Sequence, residues 1–446
     1  MREWDVTVVG GGPSGAMAAI ASARAGKRTL LVERYGFCGG SLTSAGVGPM
    51  MTFHAGGRQV VRGIPQELVD RMTRLGGCRG HVKDATGYAS SVTPFDAEAM
   101  KLALDQMLAE SGCETLYHAC LAECGVSGRR IERAVFLSGS RSIPVRSRIW
   151  IDATGNGELF AMAGVSCELG RTQDHLCQPM TTNVKIGHVN LTRVRQDIAE
   201  SPSQFRLDSL DDVRESELLS VAGYTDILRR AIADGRLSFE REVVLFFETP
   251  HPGEVILNMT RMTGYNPTDP WQISEAERIG RRQAWEAFTF LKASIPAFSD
   301  AQLLQTGVHI GIRESRRLNG QYRLTADDLL RGKCFEDAIA VGGYPIDIHN
   351  PKGNDTFTTR LPEGASYQIP YRCLLTDEAE NLIVAGRCIS ATHEACAAIR
   401  VSPIVMAIGQ AAGTAAALSV QTNTIPARAD VPALQRMLLE GGAVLK

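Results

Sequence analysis

An α/β architecture is predicted by three features of this 446-residue chain. First, a short apolar strand over residues 6–9 runs into Gly10-Gly11-Gly12-Pro13-Ser14-Gly15 and then a small-residue helix over 16–25. Second, another apolar strand, 29–32, ends on an acid, Glu33. Third, strand patterns over 114–118, 119–126, 130–137 and 142–145 lead to a further apolar strand, 148–152, which ends in its own glycine turn. The first two features are a nucleotide-binding βαβ unit, and the third inserts an antiparallel meander into its parallel sheet. The predicted fold is therefore a Rossmann-like domain with a meander, joined to a mixed α+β second domain.

Each part of the opening unit has a physical task. Gly10 permits the tight turn, Gly12 lets backbone approach a pyrophosphate, and Gly15 lets the helix pack closely on the strand. The helix start at Pro13 and Ser14 offers free N–H groups and a partial positive charge to phosphates. Glu33 stands 18 residues past Gly15, close to the spacing of a ribose-binding acid. A carboxylate there accepts from ribose hydroxyls and repels a 2′-phosphate, which favours FAD or NAD over NADP.

Further along, Asp96 is placed to cap a helix ending at Ser111. Residues 66–75 read as a helix, and 76–91 as a loop near a substrate opening. The stretch 165–370 is richer in Pro, Thr, Arg and aromatic residues. Within it, 243–249 and 254–259 read as paired strands, and 307–312 as another. Ser274 with Glu277 reads as a capping box for a helix to Lys292. Residues 381–385 form a strand, and Ser402-Pro403 opens a close-packing helix over 404–420, with Ser402 as cap. The predicted division is 1–50, 94–165 and 371–446 for the nucleotide domain, and 51–93 with 166–370 for the substrate domain.

Composition narrows the function. With 44% apolar residues, 22% charged residues and a net charge of −2, nothing argues for nucleic acid or an anionic membrane as partner. The expected partner is a small-molecule substrate, together with an electron donor or acceptor. The opening strand and turn occupy the place of a signal peptide, and no uninterrupted apolar run of membrane-spanning length is evident. Eleven cysteines with no C-x-x-C pair read as buried, reduced thiols of a cytoplasmic protein, with no metal site. A second G-x-G-x-x-G is absent, which argues against tight docking of NAD(P)H.

Five blocks carry a family resemblance: the glycine turn to Glu33; Gly39-Gly40 with Thr43; IDATGNGE at 151–158; GIRESRR at 311–317; and AGRCISATHEA leading into the last helix. The chain resembles the FAD-dependent oxidoreductases distantly related to fumarate reductase flavoproteins. This resemblance implies FAD as cofactor. It implies that Gly12, Pro13, Ser14 and Gly15 meet the pyrophosphate, Glu33 the adenosine ribose, and Arg34 the adenine side. Gly39, Gly40 and Ser41 would line the ribityl and flavin approach, Leu121 would touch adenine through its backbone, and Thr154 and Gly155 would flank the adenosine half. Gly386-Arg387 stands where related flavoproteins often carry Gly-Asp, and Asn156 where Asp is more usual. The last helix would aim its N-terminus, near Ser402, Pro403 and Ile404, at the flavin C2 carbonyl.

The chemistry expected is hydride transfer between substrate carbon and flavin N5, with a histidine moving the proton. His393, close before the flavin-facing helix, and His349 are the candidates, and Arg313 is an anion anchor with Glu314 as its orienting partner. A flavin monooxygenase or hydroxylase is the alternative enzyme. A binding or assembly subunit with structural FAD is the alternative of another class.

Overall fold

The computed structural model describes residues 2–446. Its first sheet is built from β1 (Arg2–Val9), which leads through the glycine turn to α1 (Pro13–Arg24) and β2 (Thr29–Val32). After α2 (Ala97–Ser111) come β3 (Glu114–Leu116), β4 (Cys120–Ser127), β5 (Arg130–Ser138) and β6 (Arg141–Asp152). The chain returns with β7 (Leu382–Val384) and α3 (Ser402–Thr422). The strand order is β3-β2-β1-β6-β5-β4, with β7 also on β6. Pairings β2–β3, β1–β2, β1–β6 and β6–β7 are parallel, whereas β6–β5 and β5–β4 are antiparallel. β6 is one unbroken strand where the sequence reads as two. Its first half pairs with the meander and its last residues, Trp150–Asp152, pair with β7.

Val6, Val8 and Val9 are buried, with Thr7 between them, because helices cover the parallel sheet, so the carboxyl half of β1 is buried on both faces. Asp96 caps α2, accepting from the N–H groups of Glu98 and Ala99. α1 and α3 pack backbone to backbone. A side chain at Gly409 would meet the Ser14 carbonyl, and one at Gly413 the Ala18 carbonyl. α3 is long and apolar enough to cross a membrane, but 89% of its most apolar window is buried inside the protein. It is a core helix.

The second sheet is five-stranded and antiparallel, in the order Ser220–Gly223, Val244–Glu248, Val255–Leu257, Val184–Gly187, Gln302–Thr306. With the helix Pro270–Ser294 it buries its own core around Phe246, Phe298 and Leu291. That helix starts at Asp269, whose carboxylate accepts from the N–H groups of Trp271 and Gln272, and not at Ser274. Asp269 precedes a proline at the first helical position, a stronger start than Ser274 five residues later. Glu277 instead accepts from the Ile310 N–H. Residues 307–312 form a loop with a single bridge, Thr181 to Gly311. Phe53, Val61, Leu68 and Met72, from the stretch grouped with the substrate domain in the sequence, pack in the nucleotide-domain core.

Candidate active site

At the carboxyl ends of β1, β2 and β6 the structure opens a cleft. It is lined by Gly10, Gly12, Pro13, Ser14, Glu33, Arg34, Gly40, Ser41, Leu121, Thr154, Gly155, Gly386, Arg387 and Ser402, all sequence candidates. The sheet topology brings them together, since strand ends at a parallel switch point leave a crevice. At one end Arg34 pairs with Glu158. Glu33 accepts from the N–H groups of Gly11 (2.6 Å) and Tyr35 (2.9 Å), and burial raises its carboxyl above the ordinary value. Leu121 lies where the β4–β5 register skips a residue, a bulge that re-aims the strand. Thr154 is fixed by Asp152, whose carboxylate accepts from both its N–H and its hydroxyl.

The donor set fits a dinucleotide. A Cβ on Gly12 would meet only Gly40 Cα at 3.9 Å, so the protein leaves that space clear. A Cβ on Gly15 would lie 1.8 Å from the Gly10 carbonyl oxygen, so that glycine serves helix–strand packing. Ser14 Oγ and Arg387 Nε are buried without partners, donors facing a crevice. Neither α1 nor α3 has a side-chain cap, so the N–H groups of both helix starts stay available to an anion or carbonyl. Ser402 is inside the helix, with Val401 at the cap position, and it lines the cleft instead. Pro403 and Ile404 follow it without lining the cleft, and neither do Gly15 and Gly39. Gly39 donates to the Gly11 carbonyl, tying the second glycine segment to the first.

A second cavity of about 470 Å³ adjoins this cleft and shares Ser41, Ile312, Arg387, Arg400 and Ser402 with it. His349 and Arg313 line it, with Asp347, Tyr88 and Tyr344. His349 Nε2 lies 3.3 Å from Asp347 Oδ2, and Nδ1 lies 3.3 Å from Thr356 Oγ1. Burial pushes the imidazole well below its ordinary value, against the pull of Asp347, so it is neutral at pH 7. Burial alone would raise Asp347, but His349 and Arg400 more than offset it and hold the carboxyl well below the usual range.

Against known proteins, the model of the family described as FAD dependent oxidoreductase matches residues 5–438. The chain belongs to this family. The oxidoreductase is also 48% identical over 52 residues to a soluble pyridine nucleotide transhydrogenase of Mycobacterium bovis. That match covers 12% of this chain and 11% of the relative. Among solved structures, a triple mutant of the flavin-dependent brominase Bmp2 aligns with a TM-score of 0.50 at 13% identity, over 98% of this chain and 84% of that one. A geranylgeranyl bacteriochlorophyll reductase-like protein from Thermoplasma acidophilum aligns at 0.48 and 12% identity, over 99% and 83%. At 13% identity the likeness to the brominase concerns the fold alone. FAD is the cofactor of the family, and the cleft is where this oxidoreductase would hold it.

His393 does not join the site. It lines neither cavity and is 5% exposed, and its Nδ1 donates to Glu314 at 2.9 Å. Nor is Glu314 the partner of Arg313. The Glu314 carboxylate pairs with Arg317, while Arg313 donates to the Pro179 carbonyl at 2.6 Å. Helical phase decides the first point, because His393 opens the helix His393–Ile399 facing inward. Two departures from the wider flavoprotein pattern are in contact: Arg387 Nη2 donates to Asn156 Oδ1 at 2.6 Å. Cys38 is buried, with Sγ 2.8 Å from where a Gly11 Cβ would stand, and burial pushes its thiol up, so it packs the turn. Among residues that sequence reasoning missed, Tyr35 and His309 line the cleft beside Glu33 and Arg34, their rings 6.3 Å apart, and Arg400 lines the junction. Arg400 was the findable one, two residues before α3.

Gly12→Ala in this oxidoreductase should therefore fold with an unchanged apo melting temperature and lose FAD affinity. Losing one or two charge-assisted backbone bonds to the pyrophosphate costs about 1.5–3 kcal/mol, roughly 10- to 100-fold in Kd. Flavin titration of the apoprotein measures it.

Proposed function

We propose that the protein dehydrogenates a small organic substrate in the second cavity, with His349 taking the proton. The observation that carries this reading is the junction: the cofactor cleft and the cavity holding His349 share five residues, so a substrate in one abuts a flavin in the other. FAD, when bound, supplies a two-electron acceptor whose N5 takes the hydride. Asp347 Oδ2, 3.3 Å from Nε2, favours the tautomer protonated there, so Nδ1, which faces the Thr356 hydroxyl at 3.3 Å, carries the lone pair that takes the substrate proton once that hydroxyl turns away. Tyr344 and Arg400 hold Asp347 in place, at 3.3 Å each. All eleven cysteines are free thiols, which supports a reducing compartment such as the cytoplasm.

The test is anaerobic bleaching of the visible flavin band across hydroxy acids, sugars, amines and enoates. His349→Gln should keep FAD and slow reduction by the active compound about 100-fold, the scale of a lost general base. Unchanged bleaching would show that His349 moves no proton. Because the folded imidazole titrates below its ordinary value, the base form persists into acid. The acid limb of the reduction rate should therefore lie below about pH 6.5, and the limb should vanish in the variant.

A further inference from the structure

The second cavity holds far more positive charge than its own carboxylates balance. Six arginines line it, Arg206, Arg241, Arg313, Arg360, Arg387 and Arg400, against Glu242 and Asp347 alone. Arg206 pairs with Glu242 at 2.8 Å, and Arg400 with Asp347 at 3.3 Å. Among the described residues, no carboxylate stands within ion-pair distance of Arg241, Arg313, Arg360 or Arg387. The whole chain, by contrast, carries a net charge of −2.

Two of the four converge. Arg313 Nη2 lies 3.4 Å from Asn258 Oδ1, and Arg241 Nη2 lies 3.5 Å from the Asn258 carbonyl. Arg313 is 9% exposed, and Arg241 Nε is buried with no partner. Arg387 Nε and Arg400 Nε, at the border with the cofactor cleft, are also buried without partners. Burial and the neighbouring guanidiniums work against the charge of Arg313. An arginine cluster purely for stability would be paired, because desolvating unpaired cations costs several kcal/mol each. A planar fork with free N–H donors is the group that recognises a carboxylate in two-point fashion. The rest of the lining includes an apolar stretch, Val47, Met51, Val243, Leu245 and Phe247, the last three in the segment that follows Arg241.

We propose that the substrate is an organic carboxylate, its carboxylate held between Arg241 and Arg313 and its apolar body against the wall of Leu245 and Phe247. The inference rests on the proposed dehydrogenase reading for the word substrate, but the anion site itself does not need it. His349 stands in the same cavity, so the anion anchors one end of the molecule while the reacting carbon faces the proton acceptor.

The test uses citrate, benzoate, benzamide and inorganic phosphate as probes, in two readouts. In holoprotein, citrate and benzoate should perturb the flavin spectrum saturably, and benzamide should not. In apoprotein, the same carboxylates should raise the melting temperature. Arg313→Gln and Arg241→Gln should each weaken carboxylate binding at least tenfold, and Arg313→Lys should recover part of it. Arg241→Gln guards against a folding defect in Arg313→Gln, because among the described residues Arg241 makes a single long bond, to the Asn258 carbonyl at 3.5 Å. Equal binding of benzamide, unchanged binding in both glutamine variants, or a response to phosphate without one to carboxylates would overturn the proposal. Carboxylate binding without any flavin reduction in the substrate screen would instead count against the dehydrogenase reading and leave the anion site standing.

Discussion

Glu314→Gln is expected to destabilise the protein by about 3–5 kcal/mol, the cost of leaving a buried charge without its partner. Glu314 is fully buried and accepts from three sides: Arg317, the Nδ1 of His393, and the Gln178 N–H at 3.0 Å. Arg317 also donates to the carbonyls of Ala391 (2.9 Å) and Gly170 (2.6 Å). This one carboxylate therefore joins three distant segments, around 170–178, 314–317 and 391–393. Removing its charge leaves Glu168, at 3.5 Å and partly exposed, as the one carboxylate among the described residues that still pairs with Arg317. A lower denaturant midpoint at constant m-value measures the loss. His393→Asn keeps a donor near Nδ1 and should cost only about 1 kcal/mol. Because His393 lines neither cavity, the rate of flavin reduction should stay within threefold of wild type, and a hundredfold fall would restore a role for it in catalysis.

The second large effect reverses an ordinary rule. Gly→Ala inside a helix usually stabilises by about 1 kcal/mol. At Gly413 the added Cβ would lie 2.1 Å from the Ala18 carbonyl oxygen, and at Gly409 it would lie 2.0 Å from that of Ser14. Both obstacles are backbone, so neither can swing away, and α1 and α3 must separate. Overpacking of this kind costs about 1–3 kcal/mol where side chains can adjust, and the upper end or beyond is expected here. The two sites should differ in their effect on FAD. Ser14 lines the cleft and Ala18 does not, so Gly409→Ala should weaken FAD binding as well, while Gly413→Ala should act mainly on stability. Thermal unfolding of the apoproteins together with FAD titration separates the two.

The nucleotide-binding turn was legible because everything that defines it is local: a strand, six residues of turn and a helix, then an acid one strand later. The same holds for Asp96, whose capping role needs only its neighbours. Legibility failed where two local signals competed or where direction in space mattered. Ser274 and Glu277 have capping-box spacing, but Asp269-Pro270 starts the helix earlier and frees Glu277 to bond the 310 loop. His393 and His349 look alike as letters; only the inward face of one helix and the strand Ile346–His349 separate a buried tie from a cavity wall. The arginines of the second cavity come from segments around 206, 241, 313, 360, 387 and 400. No window of sequence holds more than one or two of them, so their charge becomes visible only when the chain folds.

The double pairing of β6 sets an order on synthesis. Its inner end waits for residues 382–384, and the helix that covers α1 begins still later, at 402. A nascent chain therefore displays an incomplete sheet edge and an uncovered α1 until nearly all of it has left the ribosome. Contacts of such long sequence separation slow folding and prolong exposure to aggregation. Expression of this protein should respond strongly to chaperone supply, and carboxy-terminal truncations that remove α3 should be recovered as insoluble material rather than as a smaller nucleotide-binding domain.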